Sequence, residues 1–187
     1  MITIRQACPP DIAFISSMIL TALHIDASDN ERLYHHLIDL VEDDHTLYSW
    51  HRCRIACKDG QNVGLCLAYD AKDYHERRIR SFSMPCSDGK PVSADDKSLL
   101  EQEDEAGEGE YYIDSLAVVE TCRGQGIGRL LLQDAIDRGI RLGLHPTLLV
   151  DPDNASAVKL YSSLGFSYSR DMFAFGQIYH KYAYKGA

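Results

Sequence analysis

The sequence predicts an α/β fold: a mixed, mostly antiparallel sheet flanked by helices, in the order β-α-α-β-β-β-α-β-α-β-β. Three observations carry this reading. Two apolar runs flank an Asp59-Gly60 turn, the signature of a β-hairpin. Two later helical patterns, near 126–142 and 153–165, each follow an apolar strand, as crossover helices do. The tail alternates as two further strands. With 187 residues, 45% of them hydrophobic and 25% charged, the chain reads as one domain over 1–187. That length buries roughly 70% of the unfolded surface.

Each element has a local cause. Alternation in "ITIRQA" gives the first strand, which Pro9, Pro10 and Asp11 end. Ile12, Ile15, Ile19 and Leu23 recur at helical spacing. Ser28 with Glu31 reads as a capping box for a second helix, whose buried stripe is Leu33, Leu37, Leu40 and Val41. "YSWHRCRIAC" and "NVGLCLAY" form the hairpin. Residues 71–109 are charged, carry Pro85 and Pro91 and lack sustained periodicity. They read as an acidic insertion, with a short helix near Asp96–Glu103. A strand resumes at "EYYIDSLAVV", followed by a glycine corner and a helix from about Gly126 to Leu142. In that helix Leu132, Ile136 and Ile140 share a face, Asp134–Arg138 and Asp137–Arg141 can pair, and Gly143 follows as the C′ residue. "TLLVD" is a buried strand. The next helix has Asp153 or Asn154 as its cap and Gly165 at its end. "FSYSRDMFAFG" and "IYHKYAYKG" complete the sheet.

Composition excludes several classes. Net charge is −9, so nucleic acid is disfavoured as a partner. Asp95–Glu110 holds eight acids and one lysine, which reads either as a solvated loop or as a rim that attracts a small cation. No apolar run reaches the roughly 20 residues a bilayer requires. Six scattered cysteines lack C-x-x-C spacing and the eight histidines lack ligand spacing, so no metal site is expected. Reduced thiols and a poor signal-peptide start predict a cytoplasmic protein, monomeric or homodimeric.

The glycine corner carries the chemistry. In "SLAVVETCRGQGIGRLLLQ", Gly124, Gly126 and Gly128 fall at every second position. A dinucleotide fingerprint needs its third glycine one residue later, and a P-loop needs Lys where this chain departs from the pattern. What remains is a close backbone approach to a helix start, whose unpaired N–H groups and dipole favour an anion. Arg123 and Arg129 flank it.

Together with "NASAVKLYSSLGF" downstream, this stretch resembles the GNAT family of N-acetyltransferases. The first segment is similar to that family's acetyl-CoA pyrophosphate motif, Q/R-x-x-G-x-G/A. The second is similar to its N-x-x-A-x-x-L-Y-x-x-x-G-F helix. The close match covers Glu110–Phe166, and residues 71–109 have no counterpart in it.

The resemblance implies a GNAT-like fold and an acetyl-CoA-dependent acyltransferase, with acetyl-CoA as cosubstrate. Direct transfer of the acetyl group to a primary amine is expected, and the acidic segment with Glu42, Asp43 and Asp44 points to a small, cationic molecule as the acceptor. Two other readings stay open: a non-catalytic acyl-CoA-binding or regulatory module, and a transferase acting on protein amines. By position, main-chain groups of Leu116, Ala117 and Val118 would hydrogen-bond the pantetheine arm. Amides of Gly124, Gln125, Gly126, Ile127, Gly128 and Arg129 would hold the pyrophosphate, and the Arg123 and Arg129 side chains would screen it. Asn154 would bind the pantetheine side. Tyr161 matches the general acid, although Ala157, Leu160, Tyr161 and Leu164 also form an ordinary core stripe. Strand alternation places Glu110, Tyr112, Asp114, Leu116 and Val118 on one face. The polyamine-acetylating branch carries its acid two residues before the position of Leu116, so Asp114 rather than Glu110 is the expected base. A structural hydrogen-bond acceptor is the alternative role for Asp114.

Overall fold

The computed structural model describes residues 1–26, 30–87, 89 and 102–186. The strands are β1 (Ile2–Gln6), β2 (Cys53–Lys58), β3 (Gln61–Asp70), β4 (Glu110–Val118), β5 (His145–Val150), β6 (Phe166–Ala174) and β7 (Gln177–Tyr184). The helices are α1 (Ile12–Ala22), α2 (Glu31–Glu42), α3 (Tyr74–Ser83), α4 (Ile127–Arg141) and α5 (Ala155–Ser162). One seven-stranded sheet runs in the order β1-β2-β3-β4-β5-β7-β6. Only β4 and β5 pair in parallel, because α4 crosses between them; every other neighbouring pair is antiparallel.

The β2–β3 turn has Asp59 at φ +51° and Gly60 at φ +80°, the paired positive values of a type I′ hairpin turn. Apolar layers lie on both faces of the sheet. On one, Ile15, Ile19, Leu37, Leu40 and Val41 of α1 and α2 cover Ile55, Leu65, Leu67, Tyr69 and Tyr112. On the other, Ile127, Leu131, Leu132, Ala135 and Ile136 of α4 cover Cys66, Ala68, Tyr111, Ile113 and Leu148.

Several local expectations change. The segment read as an acidic insertion contains α3, earlier than the expected 96–103 helix, with Tyr74, Arg78 and Ser81 at its buried positions. They recur at helical spacing, but the stripe is polar, so hydrophobic periodicity misses it. Ser81 accepts from the Leu47 amide at 2.9 Å, and Arg80 pairs with Asp43, which docks α3 beside the end of α2. The Ser28 half of the capping box and most of the proposed 96–103 helix lie outside the described residues. Leu23 and Ile140, which share the apolar helix faces by spacing, are about half exposed. Asp134 pairs with Arg54 of β2 at 2.8 Å, and Arg141 donates to the Asp137 carbonyl, so the two expected intrahelical ion pairs do not form.

β4 carries a β-bulge. Leu67 faces Ser115 while Ala68 faces Ile113, leaving Asp114 as the extra residue. The bulge shifts the alternation. Tyr112 and Ala117 pack with the α1/α2 layer, and Leu116 and Val118 with the α4 layer. The expectation of a single face from Glu110 to Val118 is therefore wrong: the extra residue reverses the phase of the strand beyond it.

α4 lies close on the sheet through Gly139, where an added Cβ would come within 2.9 Å of the Tyr111 Cβ. Gly139→Ala is expected to lower stability by about 1–3 kcal/mol through overpacking. Gly107→Ala, whose Cβ would meet open space, is the matched control. Urea denaturation midpoints check this, and equal midpoints for the two variants would contradict the close approach.

Candidate active site

β4 and β5 part company at the bulge. Their ladder runs from Glu110–His145 to Ile113–Leu148 and stops there, while β4 continues to Val118. Main-chain groups of alternate residues in a strand face opposite neighbours. The Val119 amide donates to the Val63 carbonyl of β3 at 3.0 Å. By alternation Ala117 also faces β3, and Leu116 and Val118 turn toward the opened edge. Consistent with this, the Val118 carbonyl accepts from the Arg123 guanidinium at 3.2 Å. Of the three residues expected to line a pantetheine arm, Leu116 and Val118 thus have suitable geometry, while Ala117 presents its backbone to the sheet.

The glycine corner follows at the end of β4. Gly124 and Gly126 have φ of +75° and +78°, the left-handed region that an L side chain rarely adopts. Gly126 is the N-cap of α4, so the amides of Ile127, Gly128 and Arg129 have no intrahelical partner. Gly124, Gln125, Gly126 and Arg129 are exposed. Gly128 sits where β4, α4 and α5 meet, its Cβ position 3.7 Å from Leu160 and 3.8 Å from Val118. Arg129 donates to the Ser163 hydroxyl at 2.9 Å, tying α4 to the end of α5. Lys58, which the sequence reading overlooked, donates to the Gln125 carboxamide at 2.7 Å, bringing a cation to the corner from β2. An exposed fan of amides at a fifteen-residue helix start, continuous with an opened strand edge, fits a pyrophosphate joined to an extended thiol arm.

A cavity of about 540 Å³ opens beside the splay. Leu116 from β4, Leu149 and Val150 from β5, and Asn154, Ala157 and Tyr161 from α5 line one end. Asn154 caps α5: its side-chain oxygen accepts from the Ala157 amide at 3.1 Å. Tyr161 is half-buried and meets Phe166 edge to face at 6.3 Å. Burial pushes its hydroxyl up to about 12, with the Cys66 thiol adding to the shift, so it stays a proton donor at neutral pH.

Asp114 lines the same cavity. It accepts from the Tyr69 hydroxyl at 2.6 Å and from Ser115 at 2.9 Å. Burial raises its pKa, and these two hydrogen bonds oppose the rise. A carboxylate offers about four lone-pair sites, so two remain for another donor. Glu110, the rival base, is elsewhere: Lys181 holds it at 2.8 Å, and it does not line the cavity.

Glu105 is the residue the sequence reading missed. It lies in the acidic segment, yet it lines the cavity and accepts from the Tyr112 hydroxyl. Burial, then the nearby Asp114 charge, pushes its pKa up to about 7, against hydrogen bonds from Tyr112 and Tyr74. Its neighbours have specific partners. Glu103 pairs with Arg170 at 2.8 Å, Asp104 with Arg78 at 3.0 Å, and Gln102 accepts from the Phe175 amide at 2.9 Å. The only local cue was the uncharged Ala106-Gly107 within the acids.

Residues 18–166 match the family model described as "Acetyltransferase (GNAT) family". The chain belongs to the GNAT acetyltransferase family. It is an acyltransferase of the N-acetyltransferase type, and GNAT enzymes use acetyl-CoA. Solved structures share the fold over nearly the whole chain. An N-acetyltransferase from Staphylococcus aureus Mu50 superposes with a TM-score of 0.81 at 19% identity, covering 97% of this chain and 99% of that one. A structure described as an acetyltransferase gives 0.74 at 26%, covering 99% and 100%. A NatC complex bound to Gag peptide and CoA gives 0.56 at 16%, covering 98% and 97%. No curated protein matches the sequence. Among the described residues no group of His, Cys, Asp and Glu could hold a metal ion, and no helix is long and apolar enough to cross a membrane.

The Glu105 carboxyl rises from 4.5 to about 7 on folding. A raised carboxyl contributes stability that is full below pH 4.5 and is lost as pH rises through 7. Glu105→Gln, which mimics the protonated form, should therefore gain on the wild type between pH 5 and pH 8, by up to about 3 kcal/mol. Denaturation midpoints at the two pH values measure it, and a pH-independent difference would contradict the burial of this carboxyl.

Proposed function

We propose that the protein transfers the acetyl group of acetyl-CoA directly to a primary amine on a small cationic molecule. The observation that carries this reading is that one cavity joins the opened β4 edge, Tyr161 and Asp114. The glycine corner would hold the pyrophosphate on the amides from Gly124 to Arg129, with Arg123, Arg129 and Lys58 supplying positive charge. Leu116 and Val118 would pair with the pantetheine arm, and Asn154 would contribute its remaining amide donors. The NatC complex, a distant structural neighbour, holds CoA, which supports the same donor here.

The chemistry balances as follows. An ammonium acceptor loses one proton, for which Asp114, directly or through a water it orders, is the acceptor. The freed nitrogen lone pair forms the C–N bond at the thioester carbonyl as the C–S bond breaks. The second nitrogen proton ends on the thiol sulfur, giving amide, free thiol and one released proton. An amine of pKa near ~10.4 is only about one part in 10³ unprotonated at neutral pH, so a proton-accepting group in the pocket matters.

Tyr161 serves the sulfur. Full proton transfer from a hydroxyl at about 12 to a thiolate whose conjugate acid lies near ~8.5 is uphill by roughly 5 kcal/mol. Tyr161 therefore acts chiefly as a hydrogen-bond donor to the departing sulfur. The bulge gives the acceptor acid its place: as the extra residue of β4, Asp114 stands at the point where the strands part.

The test is release of free thiol from acetyl-CoA in the presence of primary amines. Amine-dependent release is expected, with kcat in Tyr161→Phe lowered by about 10- to 100-fold. Tight acetyl-CoA binding without release for any amine would instead favour a non-catalytic binding module.

A further inference from the structure

The acceptor end of the cavity is walled mainly by aliphatic and aromatic side chains. Ile19, Leu33, Leu37, Leu40 and Leu47 wall it from α1, α2 and the segment after α2. Phe82 of α3 and the rings of Tyr48, Tyr74 and Tyr112 complete it. Tyr69, Tyr74 and Tyr112 pack ring against ring, with centroids 5.9–6.4 Å apart, so this wall is preformed. Its carboxyl groups are Glu105 and Asp114, with Asp151 beside Asn154, and the imidazoles of His24 and His36 also line it. No Lys or Arg is among the described residues of the wall.

We propose that the acceptor is a primary amine carried on a single apolar or aromatic body, with its ammonium seated by Glu105 and Asp114. This rests on the acetyl-transfer reading above and narrows it. The ammonium finds two carboxyls and the π-faces of neighbouring tyrosines, a combination that favours a cation. The remainder of the molecule meets aliphatic and aromatic carbon. A free amino acid would bring a carboxylate beside two acids, with no Lys or Arg among the described lining residues and only the His24 and His36 imidazoles to offset the repulsion. An aminoglycoside would set hydroxyls against leucines, and each buried unpaired polar group costs free energy. A polyamine would place its second ammonium along the Leu33–Leu37–Leu40 wall, which offers it no anion among the described residues. Glu105 is the specificity-determining residue in this scheme. Asp114 faces the reacting nitrogen, and Glu105 holds the charge of the arriving ammonium.

Thiol release at saturating acetyl-CoA separates these cases with 2-phenylethylamine, phenylalanine, spermidine and a tripeptide with a free N-terminus. Phenylalanine differs from 2-phenylethylamine only by its carboxylate, which isolates the charge effect. The expected kcat/KM for 2-phenylethylamine exceeds that for each of the others by at least about 100-fold. Preference for spermidine, phenylalanine or the peptide would overturn the inference while leaving acetyl transfer intact. Release with none of the four, nor with any further primary amine, would overturn the transferase reading itself. Glu105→Gln should raise KM for 2-phenylethylamine by about 10-fold or more and leave the Kd for CoA unchanged; an unchanged KM contradicts the role. Leu33→Asp adds an anion to the half-buried wall and should move the preference toward spermidine by about 10-fold, independently of how Glu105→Gln folds. The absence of any such shift would also count against the proposal.

Discussion

The site depends on where β4 stops pairing with β5. A parallel ladder of four residue pairs ends at Ile113 and Leu148, and at the next residue β4 bulges against β3. These two irregularities on opposite edges of one strand have complementary effects. The lost ladder leaves main-chain groups of Leu116 and Val118 without a strand partner on that side. The bulge introduces one extra residue, Asp114, and reverses which residues beyond it face α4. The opened strand edge and the cavity-lining Asp114 are thus created by the same few residues. Neither would exist if β4 were regular from Glu110 to Val118.

The surrounding fold holds this break open. α4 is pressed against the sheet at Gly139, and its start is anchored by the buried Ile127. The glycine corner is therefore fixed at the end of β4 while its amides stay exposed. Arg129 ties the same helix start to Ser163, and α5 in turn brings Asn154 and Tyr161 to the cavity. On the other face, α3 and the acid-rich segment are held by Arg78, Arg170 and Lys181. These contacts close the acceptor end and bury Glu105. Ion pairing of Glu103 and Asp104, with Lys181 donating to the Glu105 backbone carbonyl, holds the described part of this segment where Glu105 lines the cavity.

Much of this was legible in the sequence, for identifiable reasons. Strands and helices marked by apolar period or by glycine and proline punctuation emerged in the right order. The Asp59-Gly60 turn, the Gly126 corner and the Asn154 cap announce themselves through residues with few alternative conformations. Tyr161 and Asp114 came from the resemblance, since the core stripe alone would have absorbed Tyr161. The failures share a cause. α3 buries Tyr74, Arg78 and Ser81, a stripe that carries its polarity inward because Arg78 finds Asp104 and the Gln102 carbonyl. Glu105 is hidden in the same way, its burial depending on Tyr112 and Tyr74 from distant parts of the chain. The bulge leaves no local mark in "YYIDSLAV", because alternation continues to look regular when one residue is added opposite another strand. Interactions satisfied only across the fold cannot be read from a window of neighbouring residues.

The central claim is spatial: the acyl donor lies along the opened β4 edge and its phosphates lie at the glycine corner. Amide hydrogen exchange with and without CoA tests this most directly. The account predicts added protection in two segments, 115–119 and 124–129, with little change in the β1–β2 strands. Protection confined to other parts of the chain, with both segments exchanging as in the free protein, would contradict it.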